Sequence, residues 1–272
     1  MSTDLTLEDF ARRALAGDRD AVAALVRVLQ PEVYGLALRM LWHREDAEEA
    51  TQEILIRVMT RLSQFDFRSR LKTWVFRVAT NYLLDVKKSP VERLGLSFAQ
   101  FGDDLRDGLS SEGPAEGERS VLTEEVKIGC TLAMLQCLDR EHRLAYVLGE
   151  ILELPASDAA HALSIQPAAF RKRLQRAREA IETFMRAHCG LVSDSAECRC
   201  NRRVPAAARL GRVRPDALAF AQEASSFEEA RGLVRRVEQA RWALEVHRAN
   251  RPRDSDVDFA QRVVSALEPS RA

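Results

Sequence analysis

Apolar residues recur every three or four positions along most of the chain, a period that predicts helices rather than strands. From Arg44 to Phe65, Ala47, Ile54, Leu55, Val58, Met59 and Leu62 fall on one helical face. Asp46, Glu48, Glu49, Gln52 and Glu53 make an acidic and amide face on the other side. From Leu71 to Lys88, Leu71, Trp74, Val75, Val78, Ala79, Tyr82, Leu83 and Val86 form an almost unbroken apolar stripe, opposite Thr73, Arg77, Thr80, Asn81, Lys87 and Lys88. Phe65-Asp66-Phe67-Arg68-Ser69-Arg70 joins the two, carrying two aromatics and two arginines.

The same pattern extends in both directions. Thr6 to Ala16 reads as a short helix with Thr6 as its cap and Asp9 three residues on. Asp20 to Trp42 reads as a longer one, kinked at Pro31, with Leu25, Val28, Val33, Leu36 and Met40 among its core positions. Ser89-Pro90 stops the helical run. Between Leu94 and Ser120, Gly, Ser, Pro and acidic residues accumulate, which predicts a flexible acidic linker. Helical spacing returns from Leu122 to Leu152. Leu154 to Leu163 and Pro167 to Met185 then form two helices around a tight Ser164-Ile165-Gln166 break. The second has Phe170, Leu174, Ala177, Ile181 and Phe184 on one face and five basic residues between Arg171 and Arg178. Two helices so closely joined, the second basic, fit a helix-turn-helix. Beyond Pro215, Ser226-Phe-Glu-Glu229 is a capping-box pattern, and Phe259, Val263, Val264 and Leu267 mark a last helix. The expected fold class is therefore all-α.

Composition narrows this picture. The 272 residues can hold two or three small domains, and 46% hydrophobic with 6% aromatic residues suits helical cores. The formal net charge is zero, so contact with nucleic acid must come from local patches rather than a basic coat. No window approaches the apolar length of a membrane span, and the N-terminus has no basic start or apolar core, so no membrane partner and no secretion signal are expected. Five cysteines, three of them clustered, point to free thiols or a metal rather than a disulfide framework.

Aromatics beside arginines can stack on unpaired bases while the cations follow phosphates, so the Phe65–Arg70 turn and its flanks suit single-stranded DNA. Asp46-Ala-Glu-Glu-Ala-Thr-Gln52-Glu53, Phe67-Arg68, and Leu71-Lys-Thr-Trp74-Val-Phe-Arg-Val-Ala-Thr-Asn81-Tyr-Leu-Leu-Asp85 resemble region 2 of bacterial sigma-70 family sigma factors of the extracytoplasmic-function (ECF) type. Ala169-Phe170-Arg171-Lys172-Arg173-Leu174-Gln175-Arg176-Ala177-Arg178 resembles their region 4, with Phe170 where a smaller residue is usual. The resemblance implies a cytoplasmic bacterial initiation factor, not an enzyme. It implies docking on core RNA polymerase, at the β′ clamp through Asp46, Glu49, Gln52 and Glu53 and also at the β flap. Melted −10 DNA would meet Phe65, Phe67, Arg68, Trp74, Arg77 and Asn81, with Phe65 and Trp74 equally suited to the core. An anti-sigma factor is a further candidate partner.

The N-terminal part of a recognition helix meets base edges, which selects Ala168, Ala169, Arg171 and Lys172 for the −35 element. Arg173, Arg176 and Arg178 suit phosphates or internal ion pairs. The expected organisation is a region 2 domain over 1–89, a linker over 90–120, a region 4 domain over 121–187, a Cys/Arg-rich connector over 188–214 and a helical extension over 215–272. No cofactor is required, but His188, Cys189, Cys198 and Cys200 could complete a zinc site or a thiol switch. A helix-turn-helix regulator that never touches polymerase would explain Glu153 to Met185, but not Arg44 to Lys88. No nucleophile–base set, carboxylate pair or phosphate loop supports an enzyme.

Overall fold

The computed structural model describes residues 6–88, 90–111, 120–235, 246–248, 250 and 252–267. Every regular element among them is a helix, and the chain divides into two compact units. The first comprises residues 1–89, 154–171 and 254–272; the second comprises 90–153 and 172–253.

In the first unit, α1 (Leu7–Leu15), α2 (Arg19–Leu41), α3 (Arg44–Thr60) and α4 (Leu71–Asp85) pack as a bundle. The Thr6 hydroxyl and the Asp9 carboxylate close the predicted capping box on α1. Asp18 caps α2, which runs unbroken through Pro31. Leu25, Val26, Val33, Leu36, Leu55, Val58, Leu71 and Val75 fill the core, whereas Val28 faces out at 51% exposure. By length and composition α2 alone among the described helices could cross a membrane, which the sequence pattern does not anticipate; its apolar side is instead buried against α1 and α3. Two distant elements complete this unit. Helix α9 (Ala156–Ala162) packs on α4, and α13 (Phe259–Ala266) packs on α2 and α3.

The second unit corrects the expected linker. Residues 90–106 hold α5 (Pro90–Arg93) and α6 (Phe98–Arg106), the latter opened by a Ser97–Gln100 capping box. Phe98, Phe101 and Leu105 recur at helical spacing, and the Phe101 ring stacks on Phe184 at 5.3 Å, so composition concealed an amphipathic helix. Residues 112–119 of that linker lie outside the described residues. Helix α7 (Val121–Gln136) leads to α8 (Arg140–Tyr146), which continues into a π turn at Val147–Ile151. Helix α10 (Pro167–His188) begins in the first unit and passes into the second.

The expected connector is also folded, for α11 (Cys200–Arg209) packs on α7. Two of its arginines are held by the preceding segment. Arg203, nearly buried, donates to Asp104 at 3.1 Å, and Arg212 reaches the same carboxylate at 2.6 Å. The acid of the linker and the base of the connector thus neutralise each other locally. Helix α12 (Phe227–Arg235) opens on the predicted Ser226–Glu229 box. The sequence continues this helical spacing at Val237, Ala240 and Leu244, which lie outside the described residues.

Candidate nucleic-acid and polymerase interfaces

Helix α3 presents its polar residues in two stripes. Asp46, Glu49 and Glu53 follow one another at i, i+3 and i+7. Glu49 is exposed, while Asp46 and Glu53 are half-buried. Tyr82 of α4 borders this stripe; burial raises its pKa first, and Glu53 and Glu49 add to that. Gln52 lies on the neighbouring stripe with Glu48, and both are half-buried. The four residues expected to dock on polymerase are therefore not equivalent.

The turn before α4 is shaped by Asp66. Its carboxylate accepts the Arg68 backbone N–H at 3.1 Å and the Arg68 guanidinium at 2.6 Å; these bonds hold its pKa below the usual carboxylate range. Phe67 takes a left-handed backbone conformation, φ +58°, which lifts its ring against Phe65 (4.6 Å) and under the Arg12 guanidinium (4.9 Å). Glu8 accepts the Leu71 N–H at 2.9 Å, satisfying one orphan donor at the start of α4. Phe65 is only 3% exposed, which corrects its assignment to DNA: its ring fills the space between Phe67 and Trp74 and has no free face for a base.

Trp74, Arg77 and Asn81 do come together. They line a groove of about 550 Å³ with Arg57, Arg61, Gln64 and Tyr82. The Arg57 guanidinium lies 4.6 Å from the Tyr82 ring centre. This groove offers cations, aromatic faces and amides side by side, the equipment single-stranded nucleic acid requires. Arg57, Arg61 and Gln64 escape the sequence reading. Their i, i+4, i+7 spacing was the available signal, hidden by their position at the end of an acidic helix.

Helix α9 and the first turn of α10 form the expected helix-turn-helix, with Ser164 at φ +55° in the tight turn. Phe170 is buried at 1% exposure, so the larger residue is accommodated in the core. Ala168, Ala169, Arg171, Lys172 and Arg176 are exposed. Arg173 pairs with Glu141 at 2.9 Å and Arg178 with Glu150, placing both in the internal ion pairs that the sequence leaves open. We expect Arg171→Ala to cost about 1–3 kcal/mol at one base position and relax specificity there. Arg176→Ala should weaken binding uniformly and lower the salt slope by about one. Binding titrations against single-position promoter variants at several salt concentrations distinguish the two.

The cysteine cluster has a different membership from the one expected. His188 leaves it: the ring packs on Phe184 at 4.8 Å and against Gly102, and burial followed by Arg106 lowers its pKa. Cys130 of α7 takes its place among the charge neighbours of Cys189, Cys198 and Cys200. Cys189 and Cys198 meet across an isolated bridge, where a Cβ on Gly190 would strike the Cys198 carbonyl. The five cysteines are free thiols. Among the described residues no three His, Cys, Asp or Glu side chains are grouped so as to hold a metal ion. Burial pushes the thiols up, Cys198 to about 12. Because a raised thiol pKa keeps the native state protonated while the unfolded chain ionises, this cluster costs stability as pH climbs from about 9 toward 12. At pH 8 we expect alkylation of Cys198 to run roughly a thousandfold slower in the native chain than in the denatured one. Timed iodoacetamide labelling read by mass spectrometry checks this.

Comparison with known proteins gives the family. The sigma-70 region 2 family matches residues 25–89. The ECF RNA polymerase sigma factor SigW of Bacillus subtilis is 29% identical over 190 residues, 67% of this chain and 98% of its own length. The ECF RNA polymerase sigma-E factor of Haemophilus influenzae is 30% identical over 199 residues, 67% of this chain and 96% of its own. The chain belongs to the ECF sigma factors. A solved structure of CnrH with the cytosolic domain of CnrY matches 65% of this sigma factor and 94% of that chain, at 20% identity and a TM-score of 0.48. Sigma factors bind core RNA polymerase and promoter DNA and are not enzymes. In this one, the matched region 2 residues run from within α2 through α3 and α4.

Proposed function

We propose that this sigma factor docks on the β′ clamp through Asp46, Glu49, Gln52 and Glu53, and reads melted −10 DNA in the Trp74–Arg77–Asn81 groove. It reads the −35 element with the exposed start of α10. The observation that carries this reading is the groove itself, where Arg57, Arg61 and Arg77 surround Trp74 and Tyr82. Phosphates can follow the three guanidiniums while unpaired bases meet aromatic faces. A formal net charge of zero agrees, because DNA contact then rests on local clusters such as these rather than on a basic coat. The protein works in the bacterial cytoplasm, where its polymerase and promoters are.

In vitro transcription tests the proposal. Purified protein, bacterial core polymerase and fragmented genomic DNA should give transcript starts that share two upstream elements. Starts that share none, or sequence-specific duplex binding without polymerase, would favour a helix-turn-helix regulator instead.

A further inference from the structure

The last described helix lies on the proposed docking face. Phe259, Ala260 and Val263 are 0%, 1% and 0% exposed, pressed onto α2 and α3. The Phe259 ring lies 6.5 Å from Tyr34 of α2. Around this apolar seat runs a polar rim. Ser255 donates to the Glu48 carboxylate at 2.7 Å, and Asp256 pairs with Arg44 at 2.9 Å. The Arg262 guanidinium donates to the Gln52 side-chain oxygen at 3.1 Å. Gln52 is one of the four residues proposed to meet the β′ clamp, and its amide oxygen already has a cationic partner from its own chain.

We infer that residues 252–267 are an intramolecular competitor of core polymerase for the α2–α3 face, and that full docking requires α13 to leave. The inference rests on the proposed role of the Asp46–Glu53 surface. Three features favour a displaceable cover over a permanent part of the bundle. Helix α13 has eight residues, too few to hold its shape without the surface beneath it, so seating and unseating form a two-state step. Its apolar anchor is confined to Phe259, Ala260 and Val263. Its rim is solvated, with the Asp256 side chain 77% exposed, so water and salt can reach these ion pairs. The stripe with Asp46, Glu49 and Glu53 lies beside the covered one, so a polymerase surface can land there first and then contest Gln52. Because the cover is tethered, its effective concentration is high, and a free partner must outcompete it.

Core binding by the full chain tests this. Phe259→Ser with Val263→Glu should unseat α13 and tighten binding to core polymerase at least tenfold, read by fluorescence anisotropy. A synthetic peptide of residues 252–272 should reverse the gain. If circular dichroism shows that the double variant has lost its bundle, Arg262→Glu serves instead, because it touches only the rim; it should tighten binding several-fold. Unchanged or weaker binding by a folded variant overturns the inference. Glu49→Lys in the same assay separates this from the underlying reading. If Glu49→Lys weakens core binding but the α13 variants change nothing, only the competitor is refuted. If Glu49→Lys has no effect, the docking face and its competitor are both refuted.

Discussion

Reversing two charges on the open stripe of α3, Glu49→Lys with Glu53→Lys, is expected to reduce affinity for core polymerase several hundred-fold and silence promoter-dependent transcription. Glu49 is exposed, and Glu53 faces Arg57 at a loose 3.8 Å with both side chains more than two-fifths exposed. Neither residue holds the fold together, so the change in stability should stay within about 0.5 kcal/mol. Docking differs, because a surface that receives carboxylates presents cations, and like charges placed opposite each other cost several kcal/mol. About 3.5 kcal/mol corresponds to a few hundred-fold in Kd. The wild-type interaction should weaken as salt rises, since exposed charges are screened beyond roughly 10 Å at 0.1 M. An unchanged Kd with an unchanged melting temperature would remove this stripe from the interface.

The helices of region 2 could be read from the sequence because local and global signals agree there. Thr6 and Asp9 announce a cap and form it, and Leu71, Val75, Ala79 and Leu83 of the expected stripe are buried in α4, although Thr73 and Thr80 from the opposite face are buried as well. The linker and the connector are misread for one cause, which is that composition stands in for conformation. Asp103, Asp104 and Asp107 suggest a flexible acidic linker, and Arg203 and Arg212 a basic connector. Each segment lacks a partner in the sequence, but Asp104 bonds both arginines, a pairing about a hundred residues apart along the chain. Cys130 was missed for the same reason. It sits at helical spacing in α7 like any small apolar residue, and only the fold brings it near Cys189, Cys198 and Cys200. Phe65 shows a different limit. An aromatic next to arginines has the same signature whether it stacks on a base or on Phe67 and Trp74, and burial decides between them.

If Arg77 and Ala169 read the two promoter elements as proposed, the contact between α4 and α9 is expected to open before a promoter is read. The Thr80 hydroxyl donates to the Ala162 carbonyl at 2.8 Å, capping one of the orphan acceptors at the end of α9. Arg77, a −10 candidate, and Ala169, a −35 candidate, line the same small cavity. The two promoter elements are about 25 base pairs apart, roughly 85 Å along B-form DNA, so residues sharing a cavity cannot reach both at once. The seal suits separation. Ala159, Ala160 and Ala162 are buried in α9, and three methyl groups with one hydrogen bond are worth at most about 3 kcal/mol. That is within the range one binding partner can supply. Fluorophores on exposed Asp85 and Ser157, attached through non-natural residues because five thiols are present, should show high energy transfer in the free chain. Transfer should fall to near zero once core polymerase and promoter are bound. Thr80→Val removes the donor while keeping the side-chain shape, and should shift the free chain toward the separated state by about 1 kcal/mol, roughly fivefold. High transfer persisting in a complex that initiates transcription would mean that α4 and α10 do not divide the promoter between them.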